Sequence, residues 1–363
     1  MAPQMKAFTS AQDGLDNLFL TDIPVPVAGS GEVLVKIHTI ALNYRDTEVV
    51  MGLYNHHSKL GSDKPLPTIV PCSDMCGTVV SLGSDVQQWK EGDKVLSTFN
   101  QSHLSGTITQ KDMASGLGLP LTGVLSEYRA FPAESLVRKP EGLSDEEACT
   151  LPIAGLTAWM ALNGFNPLGQ WLGKNGTEDA KKTIVLIQGT GGVAVMGLLL
   201  AKAAGATVII TSSSDSKLER ARNLGADYTI NYKTTPKWDE EVLKITNGNG
   251  ADIIFENGGA KTLRQSFECV AFGGLINCIG YLSGKTDDPE DRTNTNVLAL
   301  KRNVTLKGLL NGPKDRLEEL VSFVEEKGVK PVVDRVWAFK EAKEALKYIF
   351  EGGHFGKVVI KVE

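Results

Sequence analysis

No stretch of the 363 residues approaches 18 uninterrupted apolar residues, the length that a membrane-spanning helix requires, so no obvious span is expected. Cysteine is scarce and scattered. Cys72, Cys76, Cys149, Cys269 and Cys278 are odd in number and widely separated, which excludes a disulfide framework. A basic excess is missing too: 38 Lys and Arg stand against 43 Asp and Glu, for a net charge of -5, which argues against a nucleic-acid scaffold. The opening "MAPQMKAFTSAQDGLDNLFL" lacks the basic start and apolar core of a secretory signal, so a cytoplasmic location is expected. There is no internal repeat and no low-complexity tract.

What is present suits two domains, because the chain exceeds the usual length of one. Up to about residue 150 the pattern is short β-like runs broken by Gly and Pro, as in "GEVLVKIHTIAL", "CGTVVSLG" and "GDKVLS". Val33, Val35 and Ile37 alternate with Leu34, Lys36 and His38, which predicts a strand buried partly on both sides. Strand and helix then take turns, with strands expected at 184–188, 207–211, 228–231, 252–256, 274–279 and 304–309. Between them lie helix-like stretches such as "SKLERARNLG" and "KTLRQSFECVAF", and this alternation implies a parallel sheet covered by helices. The tail returns to strand, helix, strand and is expected to rejoin the first domain. Segments 97–123 and 164–182, rich in Gly, Ser, Thr and Asn, read as long loops of the kind that form lids.

The stretch "TIVLIQGTGGVAVMGLLLAKAAGATVIITSSSDSK" carries the clearest chemistry. Gly189, Gly191 and Ala194 fit G-x-G-x-x-A between a strand and a helix, with a second strand ending about twenty residues later. In that context the backbone of Gly189, Thr190, Gly191, Gly192 and Val193 can seat a pyrophosphate on the helix N-terminus. At the end of the second strand, where an acid would bind an NAD ribose, stand Ser212, Ser213 and Ser214, with Lys217 one turn on. Hydroxyls and a cation suit a 2′-phosphate, so NADPH/NADP is expected in preference to NAD. The alternative is that the serines cap a helix and Lys217 is solvated, and Asp215 has the wrong sign for a phosphate. Asn257 in "FENGG" and Gly280-Tyr281 in "NCIGY" end later strands, where ligands of such sheets bind.

The stretches "GEVLVKIHTIALNYRD", "CSDMCGTVVSLG", "WKEGDKV", "LPIAGLTAWMAL", "QGTGGVA", "LGADYTINY" and "GKVVI" together resemble the medium-chain dehydrogenase/reductase superfamily over essentially the whole chain. The resemblance implies an α/β chain: a GroES-like β domain plus a Rossmann domain with a doubly wound parallel sheet. Its expected divisions are a catalytic domain over 1–152, a Rossmann NADP-binding domain over 153–312 and a return to the catalytic domain over 313–363. It also implies a homodimer acting on a small-molecule substrate. In zinc members a Cys and a later His-Glu pair bind a catalytic metal. Here Asn43 matches the Cys, Ser73-Asp74 match the His-Glu, and Ile153 and Ala154 lie near the third ligand. Only Asp74 could serve as a ligand, so no catalytic zinc is expected. The four cysteines of a structural zinc lobe are missing as well. Buried packing is the expected role of Cys72 and Cys76, and solvated loop positions are expected for His56, His57 and His103.

The chain is most similar to the zinc-free branch of quinone oxidoreductases and alcohol-dehydrogenase-like proteins. "NYRDTEVVMGLY" keeps Asn43, Asp46, Gly52 and Tyr54 of the quinone-oxidoreductase pattern but carries Glu48 and Val50 where a Tyr and an Arg would stand. By resemblance, Asn43 lies beside the nicotinamide, with Thr157, Leu309 and Leu310 near it and Tyr232 near the adenosine phosphate. Tyr44 or Tyr54 could donate a proton, Asp46 is expected to orient the loop, and Arg45 either neutralises it or reaches a substrate acid.

Without a Lewis acid, oxyanion charge must be met by hydrogen bonds or spread by conjugation. The expected chemistry is therefore NADPH-dependent hydride transfer to an enone or a quinone. Carbonyl reduction or alcohol oxidation is the alternative. A non-catalytic NADPH-binding partner protein, or a reductase of a carrier-tethered intermediate, are the further ones.

Overall fold

The computed structural model describes residues 3–54, 68–286 and 294–362, and the chain divides into two units, residues 1–156 with 311–363 and residues 157–310. The first unit opens with an antiparallel pair, β1 (Gln4–Ser10) and β2 (Leu18–Pro24). It continues with β3 (Glu32–Leu42), β4 (Asp74–Leu82), β5 (Lys94–Ser97), β6 (Tyr128–Pro132) and β7 (Leu136–Arg138). The second unit holds β8 (Ile184–Gln188), β9 (Thr207–Ser212), β10 (Tyr228–Asn231), β11 (Ala251–Glu256), β12 (Val270–Cys278) and β13 (Thr305–Gly308). The chain then returns to the first unit with β14 (Val333–Ala338) and β15 (Lys357–Lys361).

Alternation along β3 explains its place. Val33, Val35 and Ile37 are buried, while Lys36 is exposed, so one face packs into a core with Val79, Val95, Phe131 and Ile360. Burying each such side chain contributes roughly 1.5–3 kcal/mol. The sheet runs β14-β15-β3-β4-β5-β7, and β6 also pairs with β3. Registers of Leu42 with Val358 and of Ala41 with Asp74 bring the end of β3 together with the starts of β15 and β4. That corner positions the polar cluster described below.

The second unit is a six-stranded parallel sheet in the order β10-β9-β8-β11-β12-β13, with the direction of progression reversing between β8 and β11. Helices follow the strands, so Leu186, Ile209, Ile254, Phe267 and Ile276 share one core. The helix Gly192–Ala204 lies close to the sheet because of Gly197: a Cβ there would sit 2.7 Å from the Phe255 ring. The architecture is the expected GroES-like β unit and doubly wound Rossmann sheet.

Some local expectations change. Segment 97–123 is folded, with the helix Gln110–Met113 and a bridge between Asn100 and Gly116. Thr109 and Asp112 close a capping box, and Ser102 donates to Asp112 at 2.8 Å, so the polar residues bond one another. His103 is buried in this segment, not solvated, and its Nε2 pairs with the Gly106 carbonyl at 2.9 Å. Segment 164–182 ends in the helix Thr177–Lys182. The helix within "KTLRQSFECVAF" stops at Cys269, because Val270 already pairs with Ala251 in the sheet. Cys72 and Cys76 are free and buried, although Cys72 precedes β4 at φ 67° rather than lying in a strand. No helix among the described residues is long and apolar enough to cross a membrane. His56 and His57 lie outside the described residues.

Candidate functional site

In the second unit the sequence-predicted residues gather at the carboxyl ends of the strands, on either side of the switch between β8 and β11, the place where ligands of such sheets bind. Gly189 follows β8 with φ 81°, and nothing lies within 4 Å of where a Cβ would be. A side chain there would be strained and would fill that open space. Gly191 caps the helix Gly192–Ala204, whose first amides have no acceptor within the helix. Thr190 is buried, and Gly191, Gly192 and Val193 are half-buried. The turn therefore fits a pyrophosphate.

Two residues that the sequence reasoning missed hold this turn. Glu256, the buried last residue of β11, accepts hydrogen bonds at Oε2 from Gln188 at 2.7 Å and from the Ser266 hydroxyl. Its Oε1 takes the Gly258 and Gly259 amides at 3.1 and 2.9 Å and the Thr262 hydroxyl. Gln188, the residue before Gly189, accepts from the Asn257 and Gly258 amides, and Asn257 Nδ2 returns a bond to the Gln188 carbonyl at 2.8 Å. A buried carboxylate is tolerated only when so satisfied. The available signal was a polar residue ending an apolar strand run, "VLIQ" and "IIFE".

Gly280 lies at the same end of the sheet: its Cβ would lie 2.8 Å from the Asn257 carbonyl, so only glycine fits, and Tyr281 follows with the Lys285 ammonium 4.3 Å from its ring centre. Thr157 is buried and donates to the Leu310 carbonyl at 3.4 Å, while the Leu309 amide bonds Cys278. Ser212 is buried and its carbonyl takes the Tyr232 amide at 3.1 Å, which places the exposed Tyr232 beside the end of β9. Ser213 and Lys217 are half-buried at this edge. Ser214 caps the helix Asp215–Asn223, as the capping alternative required. Asp215 is held by Asn231 Nδ2 at 2.6 Å.

In the first unit, Asn43, Asp46, Asp74 and Lys357 form one polar cluster at the β3–β4–β15 corner. Lys357, a residue that sequence reasoning used only as a family marker, is 5% exposed, and its Nζ donates to the Leu42 carbonyl at 2.6 Å and to Asn43 Oδ1 at 2.7 Å. Asn43 Nδ2 donates to Asp74 Oδ2 at 3.0 Å, and the Ile153 amide, in the π-helical turn Leu151–Gly155, donates to the same oxygen at 3.3 Å. Ser73 donates to Asp74 Oδ1 at 3.2 Å, and Lys357 Nζ lies 3.9 Å from Asp74 Oδ2. Desolvation raises the Asp74 carboxyl to about 6 despite the opposing pull of Lys357 and Asn43, and burial lowers Lys357 from its usual value.

Asp46 orients the helix Tyr44–Val50 by accepting the Asn43 amide at 2.8 Å. Arg45 does not reach outward. It pairs with Asp46 at 3.1 Å, donates to Leu117, and lies between the Tyr54 and Phe99 rings at 4.6 and 4.9 Å. Tyr54 is therefore a buried ring under a guanidinium, whereas Tyr44 is 37% exposed against Phe350. Burial, then Glu48, raises the Tyr44 hydroxyl, so it keeps its proton at neutral pH.

The zinc-binding dehydrogenase family matches residues 192–355 and the alcohol dehydrogenase GroES-like domain matches residues 29–141. A zinc-type alcohol dehydrogenase-like protein of Schizosaccharomyces pombe is 40% identical over 96% of each chain. An NADPH-dependent alkenal/one oxidoreductase, chloroplastic, of Arabidopsis thaliana is 30% identical over 98% of this chain and 79% of its own. The crystal structure of a candidate alcohol dehydrogenase from Sinorhizobium meliloti 1021 superposes with a TM-score of 0.84, at 38% identity and 99% coverage of both chains. Further matches are named as a quinone-oxidoreductase and as an NAD-dependent alcohol dehydrogenase.

The raised Asp74 carboxyl makes stability depend on pH. Between the usual carboxylate value of 3.8 and about 6, the folded chain holds a proton at Asp74 that the unfolded chain releases, so this group's contribution falls as pH rises through that window. Across that window the unfolding free energies of wild type and Asp74→Asn should diverge by roughly 2–3 kcal/mol in total, the variant being flatter. Parallel curves from pH 4 to 7 would rule it out.

Proposed function

The chain belongs to the medium-chain dehydrogenase/reductase superfamily, and we propose that it is a zinc-independent, NADPH-dependent oxidoreductase that delivers hydride to an activated double bond or a quinone. The observation that carries this reading is the donor set at the β3–β4–β15 corner. A tetrahedral zinc needs Cys, His or carboxylate ligands. Here Asn43, Ser73, Asp74 and the Ile153 amide meet, and the one carboxylate faces a buried ammonium. Among the described residues no group of three or more His, Cys, Asp or Glu could hold a metal ion. These residues do not fit the zinc that the family name implies.

The nicotinamide nucleotide, when bound, supplies the hydride. The residues proposed to hold it are Gly189 to Val193 for the pyrophosphate, Ser212, Ser213 and Lys217 for the 2′-phosphate, Tyr232 for the adenosine side, and Thr157, Asn257, Gly280, Tyr281, Leu309 and Leu310 along the strand ends. The hydroxyls of Ser212 and Ser213 with the Lys217 ammonium favour NADPH over NAD, and the Asp215 carboxylate is held by Asn231 Nδ2. Asn43 is assigned the amide that meets the reacting group. Of the two tyrosines, Tyr44 suits proton donation better, because it is exposed and protonated while Tyr54 is enclosed by Arg45. Carbonyl or alcohol chemistry is the second reading, favoured by the names of relatives at 38–40% identity.

We also infer a homodimer. Among the described residues β13 is an open sheet edge, with Leu306 exposed on it and Val297 and Leu300 exposed on the helix Thr295–Arg302. An unpaired edge flanked by apolar side chains is covered by a second copy of itself at low cost.

Purified protein given NADPH and a panel of enones, quinones and unconjugated aldehydes should turn over the first two classes, and Lys217→Ala should lower its preference for NADPH over NADH about tenfold. Turnover of aldehydes alone, or an unchanged preference, would refute the respective part. Light scattering should give twice the chain mass of 39.0 kDa, and Leu306→Lys should return it to one. A wild type that stays at the single mass would remove the dimer.

A further inference from the structure

Lys357 has no part in the reading above except as a charge, yet its geometry is specific. It opens β15, and the register of Val358 with Leu42 sets it opposite the end of β3. An ammonium whose task were only to neutralise carboxylates would approach them within about 2.7–2.9 Å. Instead its short contacts are to neutral acceptors, the Leu42 carbonyl at 2.6 Å and Asn43 Oδ1 at 2.7 Å, while Asp74 Oδ2 stays 3.9 Å away. Asp74 in turn takes the other end of the same amide, Asn43 Nδ2, at 3.0 Å.

The Asn43 amide therefore lies between a cation at its oxygen and an anion at its nitrogen. Rotating it by half a turn would set NH₂ against the ammonium and the carbonyl against the carboxylate, two repulsive contacts in a buried setting where charge is weakly screened. We propose that Lys357 is a positioning residue for hydride transfer: together with Asp74 it locks the Asn43 amide in one orientation. One Nδ2 hydrogen and one Oδ1 lone pair then remain, with fixed directions, for the substrate or cofactor. The inference rests on the reading of Asn43 as the residue that meets the reacting group.

Removing Lys357 alone leaves Asp46 and Asp74 buried without it and could unfold the unit, so the test is the neutral pair Lys357→Met with Asp74→Asn, with Asp74→Asn alone as control. Thermal unfolding, NADPH binding by fluorescence titration, and kcat and KM for an enone are measured on each. The double variant should melt within a few degrees of wild type and bind NADPH within about twofold, while kcat falls at least about thirtyfold and KM moves less than about threefold. The control, which keeps the ammonium on Asn43 Oδ1, should lose no more than about fivefold in kcat. A double variant that keeps wild-type kcat would show that Lys357 only balances charge and would overturn the proposal. A control that loses as much as the double variant would assign the effect to Asp74 and overturn it equally. A wild type that binds NADPH but reduces no acceptor would instead remove the underlying functional reading.

Discussion

One buried cation constrains the rest of the first unit. Lys357 is almost wholly enclosed, and a lone ammonium there would carry a large desolvation cost. It is tolerated because three chain segments far apart in sequence end at one corner and surround it with a carbonyl, an amide oxygen and, further off, a carboxylate. The same burial pushes Asp74 up and Lys357 down, because loss of water disfavours both charged forms by more than their mutual attraction restores. Such a cluster is weak support for stability and stronger support for fixed geometry. Its consequence is an asparagine side chain with no rotational choice.

The second unit uses a related device at its switch point. Glu256 is surrounded by donors from Gln188, Ser266, Thr262 and two glycine amides, so a buried anion sits near the glycine turn with its lone pairs already engaged. Its charge is spent on organising the turn and Asn257. In both units a buried charged residue at the end of a strand holds a neighbouring group in place, the Asn43 side chain in the first and the glycine turn in the second.

Periodicity and motif explain what was legible in the sequence. The alternation of Val33, Val35 and Ile37, the turn at Gly189 and the succession of strands with helices are local patterns, and each appears where its spacing put it. The partners of Asn43 are not local. Lys357 lies 314 residues away and Asp74 31 away, so no spacing within "ALNYRD" could reveal them. His103 misled for the opposite reason: its neighbours in sequence are polar, and it is buried by the folding of 97–123 together with the distant Lys314, whose amide bonds its carbonyl. Arg45 was left open between Asp46 and a substrate acid; of the two rings that enclose it, Tyr54 closes the same stretch, but Phe99 comes from a segment that composition alone does not join to it.

The family name carries zinc, as does the name of the Schizosaccharomyces pombe relative, while the corner where a zinc would bind presents an amide, a hydroxyl, one carboxylate and an ammonium. The two are reconciled if a fixed internal cation has taken the place of the metal. Elemental analysis of purified, active protein tests this most directly: the account predicts far less than one zinc per chain and turnover that survives prolonged chelation. Zinc at one per chain, with activity that chelation abolishes and zinc restores, would contradict it.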